Sequence, residues 1–136
     1  MNYILDTNII SQLLDDQSKG FKNIKKKFNT LNENSDNVLM SIVSLYELEF
    51  GYSNAPDHKK QIIKDDIEYL NDFLSIIPLS KKGSSIFGEL KTSIKDKRNI
   101  TQENMKKHNI DIMIASTAIA ENCTLVSNDS IYNSLS

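Results

Sequence analysis

The sequence predicts an α/β domain with a mainly parallel central sheet of four or five strands flanked by helices. Short apolar, β-prone runs alternate with helical stripes along the whole chain, and no internal repeat or Gly/Ser linker interrupts them. The length of 136 residues and hydrophobic content of 39% suit one compact domain, expected over 1–136. A domain of that size buries roughly two-thirds of the surface its unfolded chain exposes.

Taken in order, Tyr3-Ile4-Leu5 reads as a strand, and Asp6-Thr7-Asn8 as a turn or helix-cap signal. Ile9, Ile10, Leu13 and Leu14 then recur at helical spacing, followed by a second stripe of Phe21, Ile24, Phe28 and Leu31. A polar stretch over 32–37 ends it, and residues 38–43 (Val-Leu-Met-Ser-Ile-Val) read as a buried strand. Ser44 and Glu47 have capping-box spacing, which predicts a helix start at Ser44 and an end near Gly51. Pro56-Asp57 opens a longer helix with Ile63, Ile67, Leu70 and Leu74 on one face. Ile76-Ile77 is a strand stopped by Pro78, and Ser80 or Ser84 caps a helix carrying Phe87, Leu90 and Ile94. Residues 96–109 are polar and are expected to hold a loop. Asp111 begins a helix rich in small residues, and Thr124-Leu125-Val126 forms a fourth strand before Ser127-Asn128-Asp129.

Composition narrows the function classes. Sixteen Lys and Arg against eighteen Asp and Glu give a net charge of −2, unlike the basic balance of a general nucleic-acid coat protein. A nuclease whose acids are neutralised by bound metal remains compatible with it. Cys123 is the only cysteine, and His58 and His108 stand alone, so neither an internal disulfide nor a zinc cluster is available. Asp6 brings charge before a signal-peptide apolar region can form, and no apolar run nears the roughly 20 residues of a membrane span. A soluble cytoplasmic protein, with no membrane partner, is expected.

The informative pattern is where four acids fall. Asp6 ends the first strand, Glu47 lies just after the second, Asp111 opens a helix, and Asp129 follows the fourth strand. In an open parallel sheet, strand carboxyl ends and the following helix starts share the edge where ligands bind. Two carboxylates about 4 Å apart repel by about 4 kcal/mol at an effective dielectric near 20, so convergence needs a counter-charge. Oxygen-only ligands favour Mg²⁺, with Mn²⁺ possible. Such an ion acidifies a bound water and stabilises charge on a phosphoryl group, which suits phosphodiester hydrolysis. Each acid alone has a plainer explanation: helix capping for Asp6, a capping box for Glu47, a helix-start acid for Asp111 and a turn for Asp129. Capping does not require all four to share one edge.

These segments resemble the PIN domain, and within that family the VapC toxins of toxin–antitoxin pairs. The resemblance runs through Ile4-Leu5-Asp6-Thr7-Asn8, residues 41–51 around Glu47, Asn109-Ile110-Asp111-Ile112-Met113-Ile114-Ala115, and Thr124-Leu125-Val126-Ser127-Asn128-Asp129. It implies that Asp6, Glu47, Asp111 and Asp129 are the catalytic acids, with Asp6, Asp111 and Asp129 as metal ligands. Asn8 and Ser127 become supporting polar groups. Ser130-Ile131-Tyr132-Asn133 follow Asp129 where the family often has a second acid and a phenylalanine. The implied activity is a Mg²⁺-dependent endoribonuclease acting on RNA, held inactive by a cognate antitoxin and forming a homodimer. A non-catalytic PIN-like module that binds RNA or protein is the alternative.

Two basic clusters complete the reading. Lys22, Lys25, Lys26 and Lys27 sit on the second helix, where a solvated surface is the simpler account. Lys95, Lys97, Arg98, Lys106 and Lys107 precede Asp111 and are as well explained by tracking an RNA backbone.

Overall fold

The computed structural model describes residues 1–128. Four strands form one sheet: β1 (Asn2–Leu5), β2 (Asn37–Ser41), β3 (Ser75–Ile77) and β4 (Thr124–Val126). Their spatial order is β3-β2-β1-β4, and every pair is parallel. Ile4 stands opposite Leu39 on one side and Leu125 on the other.

Six helices of eight residues or more flank the sheet among the described residues: α1 (Thr7–Leu14), α2 (Phe21–Phe28), α3 (Ile42–Ser53), α4 (Asp57–Phe73), α5 (Lys81–Arg98) and α7 (Asn109–Ala120). A short α6 (Gln102–Met105) and a 3₁₀ turn (Lys106–His108) lie between α5 and α7. No helix among these residues is long and apolar enough to cross a membrane.

Successive strand residues point to opposite faces, so both sides of the sheet must be covered. Leu5 and Met40 pack with Ile9, Ile10, Leu13, Ile24, Leu70 and Leu74 on one face. Ile4 packs with Val43, Ile114 and Ala118 on the other. A third cluster joins Ile94, Met105 and Ile112, linking α5, α6 and α7. The small residues of α7 permit close packing on α5: a Cβ at Gly83 would meet the Ala120 Cβ at 3.9 Å and the Ser80 hydroxyl at 3.2 Å. The buried hydroxyl of Ser116 is satisfied inside α7, donating to the Ile112 carbonyl at 2.6 Å.

Two local expectations need correction. Strand β2 stops at Ser41, and Ile42 and Val43 already belong to α3. The N-cap is Ser41, whose hydroxyl accepts the Val43 N–H at 3.2 Å, not Ser44. The flanking residues Val38 to Met40 and Ile42 to Val43 are apolar on both sides of the boundary, so only the capping bond of the buried Ser41 shows where strand gives way to helix. The loop expected within 96–109 is also confined to 99–101, and the rest of that segment is helical. Helix α5 continues to Arg98, and α6 starts from a Thr101 cap that accepts the Asn104 N–H at 3.2 Å. Met105, fully buried, draws this polar segment onto the core. Of the two candidate caps for α5, Ser80 serves, accepting the Gly83 N–H at 3.0 Å.

Candidate active site

The strand order decides where a ligand crevice can lie. From β1 the chain moves to β2 and β3 on one side, then crosses to place β4 on the other. The carboxyl ends of β1 and β4 therefore flank the sheet's switch point, where helices leave in opposite directions and a crevice opens. Asp6 follows β1 there, and Ser127 follows β4.

Asp6 is completely buried. Its backbone N–H donates to the Val126 carbonyl at 3.1 Å, extending the sheet by one bond. As the N-cap of α1, its Oδ1 accepts the N–H groups of Asn8 at 2.7 Å and Ile9 at 3.1 Å. Its Oδ2 accepts the Ser127 hydroxyl at 2.5 Å. All three donors are neutral, and among the described residues no Lys, Arg or His pairs with this carboxylate. A carboxylate offers about four lone-pair sites, so Oδ2 retains one for a cation or a water.

Thr7 joins this acid to the next. Its hydroxyl donates to Glu47 Oε1 at 3.1 Å and lies 3.1 Å from the Ser44 hydroxyl. Glu47 is exposed and sits in the second turn of α3, away from the helix start. Because Ser41 caps that helix, the capping-box account of Glu47 falls away. Asp111 is half-buried in the first turn of α7, where the helix dipole favours a negative charge. Ile4, Val43 and Ile114 share a cluster, and they stand two, four and three positions from Asp6, Glu47 and Asp111 respectively.

Asp129, expected as the fourth acid, lies outside the described residues. Among those described, no three His, Cys, Asp or Glu side chains stand together as a metal-holding set. The donor chemistry of Asp6, Glu47 and Asp111 nonetheless fits a hard dication, being oxygen alone. Two residues before Asp111, the buried Oδ1 of Asn109 accepts no hydrogen bond among the described residues.

Comparison with known proteins decides the family. The PIN domain pattern matches residues 3–136. Ribonuclease VapC2 of Rickettsia felis is 35% identical over 129 residues, covering 95% of this chain and 87% of the relative. This chain is a PIN domain of the VapC type. Among solved structures, VapBC2 from Rickettsia felis bound to a promoter DNA fragment has a TM-score of 0.75 at 29% identity, covering 98% of this chain and 92% of that one. VapBC-1 from nontypeable Haemophilus influenzae shares the fold, with a TM-score of 0.79 at 22% identity over 99% and 92% of the two chains.

Within this VapC-type domain, the expected polar supports behave unequally. Ser127 touches Asp6 through its hydroxyl, whereas exposed Asn8 reaches Asp6 through its backbone N–H. Sequence reasoning overlooked Thr7 and Ser44, the hydroxyl pair between α1 and α3. Only the three-dimensional pairing of β1 with β2 brings them together, so no sequence spacing signals them. Cys123 is half-buried against the second apolar cluster, and burial, reinforced by nearby Glu121, raises its thiol pKa. That suits packing rather than nucleophilic chemistry.

Proposed function

We propose that this VapC-type PIN domain is a metal-dependent endoribonuclease, the toxin of a type II toxin–antitoxin pair, cleaving RNA phosphodiester bonds in the cytoplasm. The observation that carries the reading is Asp6, a fully buried acid at the sheet's switch point whose donors among the described residues are all neutral. The 35% identity to a ribonuclease VapC over nearly the whole chain supports the same reading.

Asp6, Asp111 and Asp129 are the residues that would hold Mg²⁺ or Mn²⁺. When bound, such an ion acidifies water and balances charge on the phosphoryl group. The chain's own groups do the rest. Ser127 and the α1 backbone hold the Asp6 carboxylate in one orientation. Thr7 steadies one oxygen of Glu47 and leaves the other to orient the attacking water. VapBC2 of Rickettsia felis is solved bound to a fragment of promoter DNA, and VapBC-5 of Mycobacterium tuberculosis, a member of the VapBC family of toxin-antitoxin systems, shares the fold. By that likeness, a cognate antitoxin covers the acidic crevice of this chain, and the toxin pairs as a homodimer.

The test is cleavage of a mixed RNA pool with and without Mg²⁺ or Mn²⁺, comparing wild type with Asp111→Asn purified identically. Metal-dependent cleavage that disappears in the variant is expected; equal cleavage by both removes Asp111 from the site. A second reading, a non-catalytic binding module, draws on the absence of three gathered ligands among the described residues. Thermal melts separate the two, because an intact site gains stability from Mg²⁺ or Mn²⁺ by linkage and a degenerate one does not.

A further inference from the structure

The charge of this molecule is unevenly placed. Residues 95–108 carry five cations, Lys95, Lys97, Arg98, Lys106 and Lys107, against two anions, Asp96 and Glu103. That is a local excess of three in a chain whose total is −2. All five cations are exposed. Among the described residues, Lys95, Arg98, Lys106 and Lys107 enter no ion pair. Unpaired like charges so close together repel, and a surface with no use for them gains nothing by gathering them.

Their anchoring is more telling than their number. Ile94, Met105 and Ile112 form the third apolar cluster and are all buried to 1% exposure or less. Each is the chain neighbour of a charged group: Ile94 of Lys95, Met105 of Lys106, and Ile112 of Asp111. The turn between α5 and α6 is also defined. Asn99 takes the left-handed conformation (φ 51°), and the Ile100 N–H donates to the Lys95 carbonyl at 3.1 Å, closing α5. Met105 N–H donates to the Thr101 carbonyl at 3.0 Å, fixing α6. One hydrophobic contact thus ties the basic segment to the first turn of the helix that carries Asp111.

We infer that residues 95–107 form a phosphate-binding strap that leads single-stranded RNA to the acidic crevice, holding the backbone on the approach to Asp111. Four of the five cations are lysines, which neutralise phosphate without reading bases. The lysines of α2 form the internal contrast. They lie on a helix packed against α1, and no shared cluster joins them to Asp111. The strap rests on the ribonuclease reading for its substrate, yet binding can be measured apart from cleavage.

The experiment is fluorescence anisotropy with a short labelled single-stranded oligoribonucleotide, without divalent metal, across a salt series. Wild type is compared with Lys95→Gln/Arg98→Gln, Lys106→Gln/Lys107→Gln and the α2 control Lys22→Gln/Lys26→Gln, whose two lysines do not line the cavity that Lys27 shares with Ser127, all checked for matching melts. For single strands each lost phosphate contact lowers the slope of log K against log salt by about 0.7, so each strap double should lose about 1.4. Binding at about 0.1 M salt should weaken roughly 10- to 30-fold, with the α2 control unchanged. Unchanged slopes in both strap doubles, or an equal loss in the α2 control, overturn the strap. If wild type cuts RNA while the strap slopes stay unchanged, the strap alone is wrong. If the slopes fall but wild type never cuts, the ribonuclease reading fails and the strap stands.

Discussion

The starts of α1 and α3 form a natural pair. Each follows a parallel strand of the same sheet, each is capped by a side chain, and each cap, Asp6 or Ser41, is completely buried. Ser41 does its work with a neutral hydroxyl that accepts one N–H. Asp6 spends one oxygen on two N–H groups and engages Ser127 with the other. Serine and aspartate cap helices about equally well, so capping does not account for a charge at position 6. The neighbouring helix shows that the same local task is accomplished without burying an ion. Burying one is costly, and its presence at the switch point argues for a role beyond folding.

This contrast can be broken most sharply by making the two starts alike. Asp6→Ser should keep the α1 cap and a cooperative melt, yet lower metal-dependent RNA cleavage by at least about 100-fold. Full activity in that variant would remove Asp6 from catalysis. Next in size, Ser127→Ala leaves Asp6 Oδ2 short of a buried donor. A loss of about 1–3 kcal/mol is expected by urea titration, together with weaker cleavage. Ser41→Ala should cost about 1 kcal/mol, or roughly 4 °C in a thermal scan, with the cleavage rate per folded molecule unchanged.

The smallest effect comes from another acid. Burial, with Asp65 beside it, raises the Asp66 pKa above its usual value. A raised carboxylate pKa means that stability is fully present below the unfolded pKa and declines as pH rises through the folded one. Asp66→Asn should therefore stabilise slightly at pH 7 and not at pH 3, an effect limited by solvent screening. A melt that shifts equally at both pH values would count against this origin.

Much of the architecture was legible because period and punctuation agree. Ile63, Ile67, Leu70 and Leu74 announced α4 closely, and Pro78 marked the end of β3. The boundary at Ser41 was not legible, because Val38 to Val43 is apolar enough for either strand or helix. Nor could the helical run before Asp111 be read from a polar composition, since Met105, its one fully buried side chain, stands between exposed neighbours. At the site, the sequence set Asp6 and Ser127 just after β1 and β4, but not the bond between them. The Ser127–Asp6 bond spans 121 positions and exists only because β4 lies beside β1, a strand order that no local pattern encodes.

That same strand order sets a timetable. β1 is made first yet lies between β2 and β4, so one of its edges stays open until the end of the fold is synthesised. At about 5–20 residues per second, the interval separating Asp6 from Ser127 corresponds to roughly 6–25 s of translation. Throughout that time the nascent chain lacks the donor that orients its first acid and the strand that forms one wall of the crevice. Completion of that wall thus waits on a contact between two strands that are neighbours in the sheet and far apart in the sequence.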